Sequence, residues 1–136
     1  MQSARKTCAP ASYMVHTFQR DAIMPKKISL VFFRTTAGSE PVREWLKELP
    51  EQDRHAIGQD LERVQFRWPI GMPLARSLGQ GLWEVRTSLA GNRIARVVFC
   101  FHEDELVALS GFIKKSRRTP QVELELARAR RKELLQ

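Results

Sequence analysis

The sequence predicts an α+β domain in which a helical hairpin packs on one face of a small, mainly antiparallel sheet and a C-terminal helix closes the fold. Three observations carry this prediction. Apolar residues recur at helical spacing in two consecutive segments after residue 39, the pattern turns to short β-rich runs divided by turn residues from residue 74, and a helical segment returns after Pro120. With 136 residues and 43% hydrophobic content, the chain has enough apolar material for one domain with one modest core.

Residues 1–27 carry Arg5, Lys6, Arg20, Lys26 and Lys27 against the single acid Asp21 and show no clear periodicity. They are predicted to be a basic, disordered leader or an extension from an upstream start, with Met24 as the natural beginning and a single domain over residues 28–136. The run from Ile28 to Phe33 reads as a first strand, ended by Thr36-Ala37-Gly38-Ser39. Behind Ser39 as cap, Val42, Trp45, Leu46 and Leu49 fall at i, i+3, i+4 and i+7, one apolar stripe on a short helix that Pro50 interrupts. Ile57, Leu61, Val64 and Trp68 define one face of a second helix, which Pro69 and Gly71 end.

A short strand over 74–78, the turn Gly79-Gln80-Gly81 and a strand from Leu82 to Thr87 follow. After the Gly91-Asn92 turn, the run from Arg93 to Phe101 is apolar on both faces, which predicts a central strand. His102 to Glu105 makes the next turn and Leu106 to Ile113 the last strand. Thr119 followed by Pro120 reads as N-cap and first helical position of a helix reaching about Leu135, with Val122, Leu126 and Ala129 facing inward and Arg128, Arg130, Arg131 and Lys132 solvated. The order is β-α-α-β-β-β-β-α, counting the short strand at 74–78.

The formal charge of +8 and a pI near 10.2 predict attraction to a polyanion. Basic residues occur on strands and connections as well as on the last helix, which favours nucleic acid over a membrane surface. No apolar stretch approaches the roughly 20 residues of a membrane helix, and residues 1–27 hold no secretory h-region, so a cytoplasmic location is expected. Cys8 and Cys100 lack any framework spacing, in keeping with a reducing compartment, and Cys100 in an apolar run is expected to be buried and inert. There is no zinc spacing, no glycine-rich phosphate loop and no Ser/His/Asp set, so neither metal nor cofactor is expected. His16, His55 and His102 read as surface residues, and Glu84, two positions before Arg86 on one strand, as half of a structural ion pair.

The cations are the candidate site. Lys114, Lys115, Arg117 and Arg118 crowd a short connection between the last strand and the last helix. Like charges held together between two rigid elements repel, and an RNA phosphate in their midst would relieve this. Arg86 and Arg96 interrupt otherwise apolar strands and Arg93 opens the second of these, so at least two guanidinium groups are expected to emerge from the sheet. Arg76, Arg93, Arg117 and Arg118 are the candidate RNA-binding residues.

Four segments in register, Glu40 to Leu46, Trp68 to Pro73, Gly81 to Arg86 and Gly111 to Lys115, resemble the phage-derived, HigB-like branch of the RelE/ParE toxin superfamily over roughly residues 28–132. The resemblance implies a RelE-like fold and a toxin of a toxin–antitoxin pair that cleaves mRNA on the ribosome and is neutralised by a helix-turn-helix antitoxin. By position it implies catalytic roles for Arg86, Arg96, Lys114 and Lys115, the arginines clamping a phosphate and the lysines moving protons while the RNA 2′-OH attacks the adjacent phosphate. Some relatives add a tyrosine or histidine near the last helix; here the only tyrosine is Tyr13, and no histidine follows His102. Two rival expectations keep the fold and change the activity: a ParE-like toxin that binds gyrase without cutting RNA, and an inactive prophage remnant that binds nucleic acid.

Overall fold

The computed structural model describes residues 27–69, 75–114 and 119–136, so the expectation for the leader lies outside the described residues. The fold is α+β. Strand β1 (Ser29–Phe32) is followed by helices α1 (Pro41–Glu48) and α2 (Glu51–Arg67), strands β2 (Ala75–Gly79), β3 (Leu82–Leu89), β4 (Arg93–His102) and β5 (Glu105–Lys114), and helix α3 (Gln121–Leu134). The sheet order is β1-β5-β4-β3-β2. Three neighbouring pairs are antiparallel and β1 runs parallel to β5, which makes a mixed sheet with β4 at its centre.

Each sheet face has its own core. On one, the stripes of α1 and α2 cover the sheet: Val42, Ile57, Leu61 and Val64 are buried with Val85, Ala95, Val97, Phe99, Leu106 and Ala108. On the other, Ala127 of α3 closes over Leu82, Val98, Cys100, Val107, Leu109 and Phe112. Cys100 is buried here, and desolvation pushes its thiol above the ordinary range, the condition of an unreactive sulfur. Trp45 of α1 lies on Gly111 of β5 so closely that a Cβ there would overlap the indole's six-membered ring. Gly111→Ala is therefore expected to cost about 1–3 kcal/mol by overpacking, read as a lowered urea midpoint with an unchanged slope; an unaltered midpoint would show that the indole has room to move.

The last helix is turned differently from the expectation. Val122 and Leu126 are 68% and 39% exposed, Ala129 also faces solvent, and Ala127, Leu124 and Leu134 turn inward with Arg128, Arg130 and Arg131 half-buried. Arginine stems do the packing. The ladder between β4 and β5 shifts register at Val98/Phe99, leaving Leu109 out of the pairing, and Arg130 Nη1 donates to the Leu109 carbonyl at 2.7 Å while its guanidinium lies over Phe33. Arg131 rests against Gly81, whose φ of +81° and lack of a side chain suit both the β2–β3 turn and this close approach.

Neither expected hydroxyl cap forms. Ser39 bonds the Thr35 hydroxyl, and Glu40 stands at the N-cap of α1 with Pro41 as the first helical residue. At α3 the N-cap is Pro120 and the Thr119 hydroxyl turns to the sheet.

On the hairpin side, Arg93 forks onto buried Asp53 of α2 through two bonds of 2.8 and 3.0 Å, and its Nε donates to the Ala90 carbonyl at 2.9 Å. The fork ties the β3–β4 turn to α2. Hydrogen bonding to Arg93 holds the Asp53 carboxyl below its ordinary range against the opposing effect of desolvation. A depressed carboxyl stabilises the fold above its unfolded-state pKa and loses that contribution as pH falls through the folded value. Asp53→Asn should thus lower the melting temperature by several degrees at neutral pH, with the gap from wild type closing in strong acid. A gap independent of pH would assign the loss to packing alone.

Candidate functional site

The ladder between β3 and β4 sets Arg86 directly opposite Arg96, and Arg96 is opposite Phe112 on β5. Because side chains alternate along a strand, Lys114, two residues beyond Phe112, shares their face. Strand spacing puts the Lys114 Cα roughly 8 Å from that of Arg96 and about 12 Å from that of Arg86. This is the sheet face that α3 partly covers, through Ala127. The same alternation sends Arg93 to the opposite face, where it closes on Asp53.

Beneath these cations lies a buried polar network. Glu84 and Arg96 are both 0% exposed. Arg76, opposite Glu84 in the β2–β3 ladder, donates to Glu84 Oε1 at 3.1 Å. The Thr119 hydroxyl donates to Glu84 Oε2 and accepts from Arg96 Nη1 at 3.3 Å, while that nitrogen stands 3.9 Å from Oε2. A carboxylate this deep is tolerable only with both oxygens engaged, and here Arg76 takes one and Thr119 the other. Burial pulls the Arg96 guanidinium below its usual range; Glu84 counters this, and Arg86 and Arg76 press it down again by like-charge repulsion.

Arg86 and Lys114 are exposed on this face, and the Arg76 side chain is 49% exposed beside them. Arg96 does not emerge as expected: it is wholly covered, and its charge acts from beneath the surface. Glu84 forms the anticipated ion pair, but with Arg76 and Arg96 and not with its strand neighbour Arg86. The expectations for Lys115, Arg117 and Arg118 lie outside the described residues. Sequence reading missed Thr119 as a member of the network and Asp53 as the partner of Arg93. Counting back across the Gly79–Gly81 turn puts Arg76 near Glu84, a signal for that pair; no comparable local signal marks Thr119.

Arg76, Arg86, Arg96 and Lys114 together outnumber Glu84, so the face keeps surplus positive charge suited to an anion with several oxygens. Among the described residues no group of His, Cys, Asp and Glu is placed to hold a metal ion, and no helix is long and apolar enough to cross a membrane.

This five-stranded α+β architecture is compatible with a RelE-like fold, the class of small toxin-like proteins. The family model for phage-derived Gp49-like proteins (DUF891) matches residues 44–132, from within α1 to within α3. The chain belongs to that family, which is phage-derived and toxin-like. No curated protein matches it significantly.

Proposed function

We propose that this protein is the toxin of a toxin–antitoxin pair, of the HigB-like branch, and that it inhibits translation as a ribosome-dependent mRNA endonuclease. The observation that carries the reading is the cross-strand pair Arg86–Arg96 with Lys114 on the same face, cations distant in sequence that converge on one patch. Membership of a toxin-like family supports it.

Cleavage forms a bond from the RNA 2′-oxygen to the adjacent phosphorus and breaks the bond to the 5′-oxygen, which takes up a proton as the 2′-OH loses one. Arg86 would grip the phosphate oxygens, with the buried Arg96 adding field from below as charge develops on the phosphorane. Lys114 and Lys115 are the groups we assign to proton movement. Arg76, Arg117 and Arg118 would hold flanking phosphates; Arg93, closed on Asp53 across the sheet, drops out of this set. A helix-turn-helix antitoxin, the ribosome and mRNA are the proposed partners, and the cytoplasm the proposed location.

Purified protein added to translating ribosomes should cut mRNA, with new 5′ ends mapping inside reading frames. The absence of histidine and tyrosine from this face among the described residues favours a second reading, a ParE-like toxin that binds gyrase. Inhibited supercoiling beside intact mRNA would select that reading.

A further inference from the structure

The Glu84–Arg96 contact has an unusual construction. Two oppositely charged side chains, both fully buried, face each other at 3.9 Å, and the Thr119 hydroxyl bonds to both. In a buried setting a guanidinium and a carboxylate gain most from a direct bidentate fork. A hydroxyl between them prevents its closure. It donates to the carboxylate and accepts from the guanidinium, so polarity is satisfied while the charges stay apart. Thr119 has no competing duty at the helix terminus, since α3 has no side-chain cap bond. Glu84 gives its other oxygen to Arg76 at the surface.

We propose that Thr119 is a positioning residue: its hydroxyl holds Glu84 and Arg96 apart, and so keeps the Arg96 charge directed at the surface where Arg86 and Lys114 would meet an RNA phosphate. The proposal rests on the reading of this face as an RNA site and adds to it a residue that touches no substrate. Without the hydroxyl, Arg96 is free to close on Glu84, and the potential at Arg86 falls.

Thr119→Val keeps the shape and removes the hydroxyl; Thr119→Ser keeps the hydroxyl. Binding of a single-stranded 2′-O-methyl oligoribonucleotide, which offers phosphates and no nucleophile, is measured against salt concentration, with each variant held well below its melting temperature. Thr119→Val is expected to weaken binding about five- to tenfold at low salt and to flatten the salt dependence, as loss of field at a phosphate requires. Thr119→Ser should stay within about twofold of wild type by the same measure. If the valine variant does not melt cooperatively, Thr119→Ala takes its place. Equal binding by wild type and the hydroxyl-free variant overturns the proposal, as does a serine variant as weak as valine. Cleavage assays on ribosomes run beside these separate the two levels. An inactive wild type whose oligonucleotide binding still depends on the hydroxyl rejects the nuclease reading and keeps the positioning role; an active wild type with unchanged valine binding does the reverse.

Discussion

Replacing Glu84 by alanine is expected to destabilise the domain by about 3–5 kcal/mol, the usual cost of stripping one partner from a buried ion pair. The carboxylate is 0% exposed, accepts from Arg76 and Thr119, and faces the equally buried Arg96. Its loss leaves Arg96 charged in a low-dielectric setting with Arg76 and Arg86 pressing the same sign on it. Against a total of about 5–15 kcal/mol for an ordinary domain, such a loss takes the protein to the edge of unfolding, and the melting temperature should fall by more than about 10 °C. Glu84→Gln retains shape and acceptor and should lose less. Changing Glu84 to leucine together with Arg96 to methionine should recover much of the stability, because the desolvation penalty goes with the charges. A Glu84→Ala protein that melts like wild type would mean that water or a shifted Thr119 neutralises the site.

That network shows where reading a sequence works on this fold and where it stops. The stripe from Val42 to Leu49 and the two-faced β4 run are local patterns of apolar spacing, and spacing is fixed by helix and strand geometry alone. Arg96 lies within the same run, yet an arginine in an apolar strand reads alike whether it emerges or is buried, because its partners Glu84 and Thr119 are 12 and 23 residues away. Ser39 and Thr119 have the chemistry of N-caps, and each instead spends its hydroxyl on a neighbour that only the fold supplies. On α3, the apolar Val122 and Leu126 would turn inward if burial of carbon were the only demand. The unpaired Leu109 carbonyl draws Arg130 inward, and the helix face follows. The convergence of Arg86, Arg96 and Lys114 was legible because strand alternation and register decide it; the diversion of Arg93 to Asp53 was not, since a buried aspartate on an otherwise polar helix turn carries no local mark.

The largest functional effect is expected at Arg86, and it separates chemistry from folding in a way Arg96 cannot. Arg96→Ala would abolish activity simply by leaving Glu84 buried without its counter-charge, so loss there says little about catalysis. Arg86 is exposed and, among the described residues, makes no ion pair. Arg86→Ala should therefore stay within about 0.5 kcal/mol of wild type in stability. If Arg86 forks onto the phosphate as charge develops, its removal should lower the rate of mRNA cleavage on saturated ribosomes by about 10²–10³-fold, with little change in the ribosome concentration giving half-maximal rate. Arg86→Lys restores the charge without the planar fork and should recover only part of the rate. Full cleavage by a folded Arg86→Ala protein would move the reacting phosphate away from the β3–β4 ladder. Equal activity of the lysine and arginine forms would instead show that this position supplies field alone, which places the geometric grip on the phosphate elsewhere on the cationic face.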